Sequence, residues 1–288
     1  MIRNVRWALA FGLMVPVFAS TLGGAAAQSA PAACTLEPTL GLTHVEVEDR
    51  SYDLYVPLSL RDTRAPVPLL LMFPMSLYSV FEGGPSAVHS GWLEFSETHR
   101  FIVAFPNHYD DEDVDEADVR FARQVVDSVR SKYCVDRRRI FPTGWSAGAI
   151  AAQHLACHAS DLFASATAFA GWEGPGMDLP GYSPHRECLR PIAVGLFHGD
   201  VDTEATSERM KETAEVWSAR NRCGRSVEES MLDGTITRHL ECDRGVEVMR
   251  LQYVVQDHTW PVGPRQQDML NRMWIFMNEH PLPPKKAR

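Results

Sequence analysis

Ile140-Phe141-Pro142-Thr143-Gly144-Trp145-Ser146-Ala147-Gly148-Ala149-Ile150-Ala151-Ala152-Gln153-His154-Leu155-Ala156 is the stretch that decides the fold. It reads as an apolar stub, a Gly-x-Ser-x-Gly turn and a strong helix former. The pentapeptide alone is weak, arising by accident in a chain of this size about once in ten. The setting gives it meaning, because a strand, a sharp turn and a helix follow in that order. A serine at such an apex sits in strained φ/ψ, and glycines let strand and helix close around it. The helix N-terminus aims N–H groups at a developing oxyanion. Ser146 is the candidate nucleophile and the Ala147 N–H a candidate oxyanion donor. The bland alternative is a Gly-rich β-α turn with an incidental serine.

A serine nucleophile needs a base and an orienting carboxylate, carried on loops past later strands. The apolar run Ile192–Phe197 ends in His198-Gly199-Asp200-Val201-Asp202, and Val248–Val255 leads into Gln256-Asp257-His258-Thr259-Trp260-Pro261. His258, past the last strand and before the last helix, is the candidate general base. Asp200 and Asp202 both stand where the orienting acid belongs. His154, His158, His185, His239 and His280 read as surface or helix residues.

Further outward, strand-length runs at His44–Val47, Ser51–Val56, Leu69–Phe73, Phe101–Phe105, Arg139–Phe141 and Ala164–Ala170 alternate with helical patterns. Asp115–Tyr133 puts Val119, Ala122, Val126 and Val129 on one face, and Thr206–Arg220 does so with Met210, Ala214 and Trp217. A last helix starts near Pro264 and stacks Leu270, Met273, Trp274 and Met277. This alternation predicts an α/β fold, a mostly parallel sheet with helices on both faces, in a single catalytic domain over 28–288.

With 37 acidic against 28 basic side chains, net charge −9, no basic field exists for a phosphate backbone, and nucleic acid is not an expected partner. Arg3 and Arg6, the apolar run Trp7–Leu22 and Ala25-Ala26-Ala27 have the layout of a signal peptide over 1–27. A secreted or periplasmic protein is expected, with no stable membrane anchor after cleavage. Six cysteines then read as three disulfides. Cys223 and Cys242 flank a hairpin-like stretch at Asp233-Gly234 and are the best single pair. No spacing suits zinc, and the acidic run Asp110–Glu116 lacks the glycine and terminal glutamate of a calcium loop. No metal or cofactor is expected.

The chain resembles the esterase family of polyhydroxybutyrate depolymerases, feruloyl esterases and acetylxylan esterases. The likeness rests on Tyr133-Cys134-Val135-Asp136-x-Arg138-Arg139-Ile140, the elbow, Leu155-Ala156-Cys157, the His-Gly-x-x-Asp run at His198–Asp202, Trp217–Cys223 and His258-Thr259-Trp260-Pro261. It implies the α/β-hydrolase fold and favours Asp202 as the triad acid. It also implies disulfides Cys134–Cys157 and Cys34–Cys188. Two departures stand out. Phe73-Pro74 replaces the family's His-Gly, so the second oxyanion donor falls to the Met75 N–H, since proline has none. Pro142 interrupts the strand before the elbow, which is expected to be short or distorted.

Trp145, Trp172 and Trp260, near the elbow and His258, are candidate substrate contacts. The expected activity is a serine carboxylic-ester hydrolase acting through an acyl-enzyme on small-molecule or polymer-derived esters, of feruloyl, acetyl or hydroxyalkanoate type. The alternatives are a poly(3-hydroxybutyrate) depolymerase, a peptidase of the same fold, and a catalytically weak binding protein.

Overall fold

The computed structural model describes residues 39–73, 89–107, 116–173 and 188–284, all within the compact unit Ala33–Arg288. The leader reading at 1–27, Cys34 and Met75 lie outside the described residues, as do residues 110–115 of the acidic run.

Ten strands form one sheet in the order β1-β2-β4-β3-β5-β6-β7-β10-β9-β8. β1 (Gly41–Val47) and β2 (Arg50–Val56) form an antiparallel hairpin. The central ladders among β3 (Val67–Phe73), β4 (Ile102–Pro106), β5 (Val135–Trp145), β6 (Ser165–Phe169), β7 (Ala193–Gly199) and β10 (Val248–Tyr253) are parallel. β3, β4, β6 and β7 are buried along their whole length, as strands covered on both faces must be. β8 (Arg225–Met231) and β9 (Gly234–Leu240) add an antiparallel flank through the turn at Asp233. Among the described residues β1 and β8 are the two edge strands, and both carry charge: Glu46 on β1, and Arg225, Glu228 and Glu229 on β8.

The helices are α1 (Trp92–His99), α2 (Glu116–Lys132), α3 (Ala147–His158), α4 (Ser207–Arg220) and α5 (Pro264–Glu279). α2 buries Phe121, Ala122, Val125, Val126 and Val129, α4 buries Met210, Ala214 and Trp217, and α5 buries Leu270, Met273, Trp274 and Met277, close to the faces read from periodicity. α3 is buried from Gly148 to Cys157, a central helix apolar nearly all round. No described helix is long and apolar enough to cross a membrane.

Two expectations need correction. β5 is eleven residues long, not short. Its irregularity is a register shift between the Val67–Val135 and Leu69–Ile140 pairs, ahead of Pro142. Pro142 pairs in register with Leu71 of β3, and the ladder to β6 starts one residue later at Thr143, so the missing N–H costs that ladder nothing.

The second correction is covalent. Cys223–Cys242 forms as read, but Cys157 pairs with Cys188, which overturns both Cys134–Cys157 and Cys34–Cys188. Leu189 N–H donates to the Cys157 carbonyl, and the Arg190 guanidinium donates to the carbonyls of Ser160, Phe163, Ala164 and Pro191. The returning chain is thus bolted to the end of α3 where Cys157 sits.

Candidate active site

Strain marks the elbow. Ser146 lies between the end of β5 and the start of α3 at φ 52°, ψ −121°, outside the regions that a residue with a Cβ favours. Its N–H donates to the Phe169 carbonyl at 3.0 Å, which ties the apex to β6. A Cβ on Gly144 would stand 2.1 Å from the Gly148 carbonyl oxygen, so only glycine lets the strand approach the helix here. The strained turn lifts the serine hydroxyl over the carboxyl ends of the parallel strands.

A second close approach brings the other two groups together. A Cβ on Gly199 would meet the Gln256 carbonyl oxygen at 1.7 Å, so glycine lets the loop after β10 close on the loop after β7. Backbone bonds from Asp200 N–H to the Tyr253 carbonyl (2.9 Å) and from Val201 N–H to the Gln256 carbonyl (3.2 Å) lace the loops. Across this seam His258 Nδ1 lies 2.9 Å from Asp202 Oδ2, and His258 Nε2 lies 2.8 Å from Ser146 Oγ. With a carboxylate facing Nδ1, the fitting tautomer carries its hydrogen there and leaves Nε2 to accept from the serine hydroxyl. The Asp202 side chain is fully buried, and its Oδ1 also accepts from the Glu204 and Ala205 N–H groups at 2.8 Å each. Asp200 is exposed, so the structure puts Asp202, and not Asp200, beside the imidazole.

The tryptophans are placed less simply. Trp145 Nε1 donates to the His258 backbone carbonyl at 2.8 Å, so Trp145 holds the histidine loop. Trp260 Nε1 donates to the Ser90 carbonyl, and its ring packs edge-on against Phe169. Trp172 lies under the Arg209 guanidinium, 4.9 Å from its ring centroid. All three are half-buried. Ala147 is the first residue of α3, where helix N–H groups have no partner within the helix.

Sequence reading missed Glu204, whose Oε2 stands 3.8 Å from His258 Nε2, and Gln256, whose amide donates to the Thr259 carbonyl at 2.8 Å. Spacing alone gives no signal for either. His198, in the His-Gly-x-x-Asp run, is buried beneath the site, and burial, helped by the Arg250 charge, pushes its imidazole down to about 4. Among the described residues no group of three His, Cys, Asp or Glu side chains stands together as a metal site would require.

No family model matches the sequence. Poly(3-hydroxyalkanoate) depolymerase C of Paucimonas lemoignei is 28% identical over 164 residues, covering 44% of this chain and 39% of that protein. NocK of Nocardia uniformis subsp. tsuyamanensis, a protein assigned as an esterase, is 30% identical over 172 residues, covering 51% of this chain and 50% of its own. The chain thus spans half or less of the curated relatives it matches. Among solved structures, the acetyl xylan esterase from Aspergillus awamori superposes with a TM-score of 0.62 at 18% identity, covering 83% of this chain and 99% of that one. A ferulic acid esterase from Anaeromyces mucronatus gives 0.58 at 15% identity, covering 83% and 91%.

The chain has the α/β-hydrolase fold.

These matches fall among the depolymerases and esterases that the motifs resemble. In the α/β-hydrolase frame, Ser146 follows β5, Asp202 follows β7 and His258 follows β10, each at the carboxyl end of its strand. Ligands of open α/β sheets bind at that end.

Proposed function

We propose that this α/β-hydrolase cleaves carboxylic esters through an acyl-enzyme, with Ser146 as nucleophile, His258 as general base and Asp202 as the orienting acid. The relay from Ser146 Oγ to His258 Nε2 and from Nδ1 to Asp202 is the observation that carries the reading. His258 takes the serine proton as Oγ attacks the ester carbonyl, then returns it to the departing alcohol. Asp202 keeps the ring in the productive tautomer and stabilises its charged form. The Ala147 N–H donates to the oxyanion, and Met75, outside the described residues, is the proposed second donor. Water then attacks the acyl-enzyme with His258 again as base, releasing a carboxylic acid.

The similar proteins are named for hydroxyalkanoate, acetyl xylan and ferulic acid esters, and we take those three ester types as the substrates to test first. A hydroxyalkanoate polyester has its own support, because Val201, Val255 and Val262 are exposed on the two loops that hold Asp202 and His258. Export to an oxidising compartment is supported by the disulfides Cys157–Cys188 and Cys223–Cys242.

The test is hydrolysis of p-nitrophenyl acetate, p-nitrophenyl butyrate and methyl ferulate by the protein and by Ser146→Ala. Turnover is expected for the protein and a fall of at least 10³-fold for the variant. Equal rates in the two would overturn the assignment of the serine.

A further inference from the structure

The acid loop carries a further carboxylate beside the imidazole. Glu204 lies two residues beyond Asp202, and its Oε2 approaches His258 Nε2, the nitrogen that faces Ser146 Oγ, to 3.8 Å. Its backbone is held at both ends: the N–H donates to Asp202 Oδ1 at 2.8 Å, and the carbonyl accepts from Arg209 Nη1 at 2.8 Å. Arg209 is itself seated over Trp172 and directs its guanidinium to the Glu204 carbonyl. The Glu204 side chain is 63% exposed, against 16% for His258, so it stands on the solvent side of the imidazole.

Asp202 does not need this neighbour, since its oxygens already face Nδ1 and two N–H groups. Nε2 must hand its proton to the oxygen of the leaving alcohol, so that alcohol departs past the atom beside which Glu204 stands. Asp257, the residue before His258 in the chain, is an exposed carboxylate held low by bonds from the Thr259 hydroxyl and N–H. The leaving-group side of the imidazole is therefore bordered by the Glu204 carboxylate.

We propose that Glu204 is a specificity-determining residue that selects the leaving alcohol by charge, favouring one with a positive group near the ester oxygen and rejecting one with a carboxylate there. The inference rests on the esterase reading above. The released carboxylic acid ionises beside the same carboxylate and is repelled, which favours its exit.

The test compares acetate esters of three alcohols: choline, which is cationic, 3,3-dimethylbutanol, its neutral isostere, and glycolate, which is anionic. kcat/KM is measured for the protein, Glu204→Gln and Glu204→Asp. The reading is the choline-to-glycolate ratio, in which a general change in activity cancels. Glu204→Gln is expected to lower that ratio about tenfold, equivalent to about 1.4 kcal/mol, and Glu204→Asp to keep most of it. High salt is expected to shrink the ratio in the protein, as it would for a partly exposed charge. A ratio that Glu204→Gln leaves unchanged, with the neutral ester still hydrolysed, would overturn the role of Glu204 alone. No hydrolysis of any of the three, nor of the p-nitrophenyl esters, would overturn the esterase reading and this inference with it.

Discussion

At the residue scale, the position between the two glycine-flanked turns is held by a side chain outside the relay. Trp145 occupies the variable position of the Gly-x-Ser-x-Gly turn, yet its indole N–H holds the backbone carbonyl of His258. Trp145→Phe keeps the ring and removes that bond. Its expected effect is a fall of about tenfold in kcat/KM for a p-nitrophenyl ester, with a loss of about 1 kcal/mol in urea denaturation. A loss of stability with kcat/KM untouched would show that the bond serves folding alone. Ser146, Asp202 and His258 were legible in the sequence because each follows a recognisable strand and chain order narrows the choice. Spacing alone left Asp200 and Asp202 open, and it was the family resemblance that favoured Asp202, the carboxylate found beside His258 Nδ1. The place of Trp145 was legible, but not its bond, which crosses from position 145 to a carbonyl at 258.

At the element scale, periodicity revealed the strands and helices that bury a continuous face and missed those that do not. β8 exposes most of its residues and α1 is only eight residues long, entered through Gly91 at φ 76°, so neither has a strong apolar signature. The disulfide error has a related cause. Cys134, just before β5, and Cys157, at the far end of α3, lie at the same end of a strand-helix unit, and spacing cannot rank their partners. What ranks them is the segment from Cys188 to Pro191, carried by Arg190, which has no carboxylate within bonding distance among the described residues. Burial holds this guanidinium down at about 10, and four carbonyls depend on it. Arg190→Ala is expected to cost about 2 to 3 kcal/mol in chemical denaturation, because it strands carbonyls that lose a charged donor. Arg190→Lys should recover only part, since an ammonium cannot span the same fork. A cost under about 0.5 kcal/mol for Arg190→Ala would mean that the disulfide alone fixes the segment.

At the scale of the whole molecule, the parallel core is one buried slab, and a histidine kept neutral inside it ties stability to pH. His198 titrates near 4 when folded, against 6.5 for the free side chain, because burial and then Arg250 disfavour its charged form. The unfolded chain therefore binds the proton first as pH falls. Stability is full above about 6.5 and is lost progressively down to about 4, by at most about 3 kcal/mol from this group. Urea denaturation at pH 7 and pH 5 should show the drop, and the His198 ring signal in NMR should stay that of a neutral imidazole across this interval. A ring that titrates at 6 or above would contradict the assigned burial effect. The charges on the two edge strands have a different consequence. Among the described residues the ten-stranded sheet ends at β1 and β8, and edge strands of this kind are templates on which a second copy could add strands. Glu46 on one edge and Arg225, Glu228 and Glu229 on the other put charge where a second copy would have to pair, which disfavours the joining of sheets edge to edge.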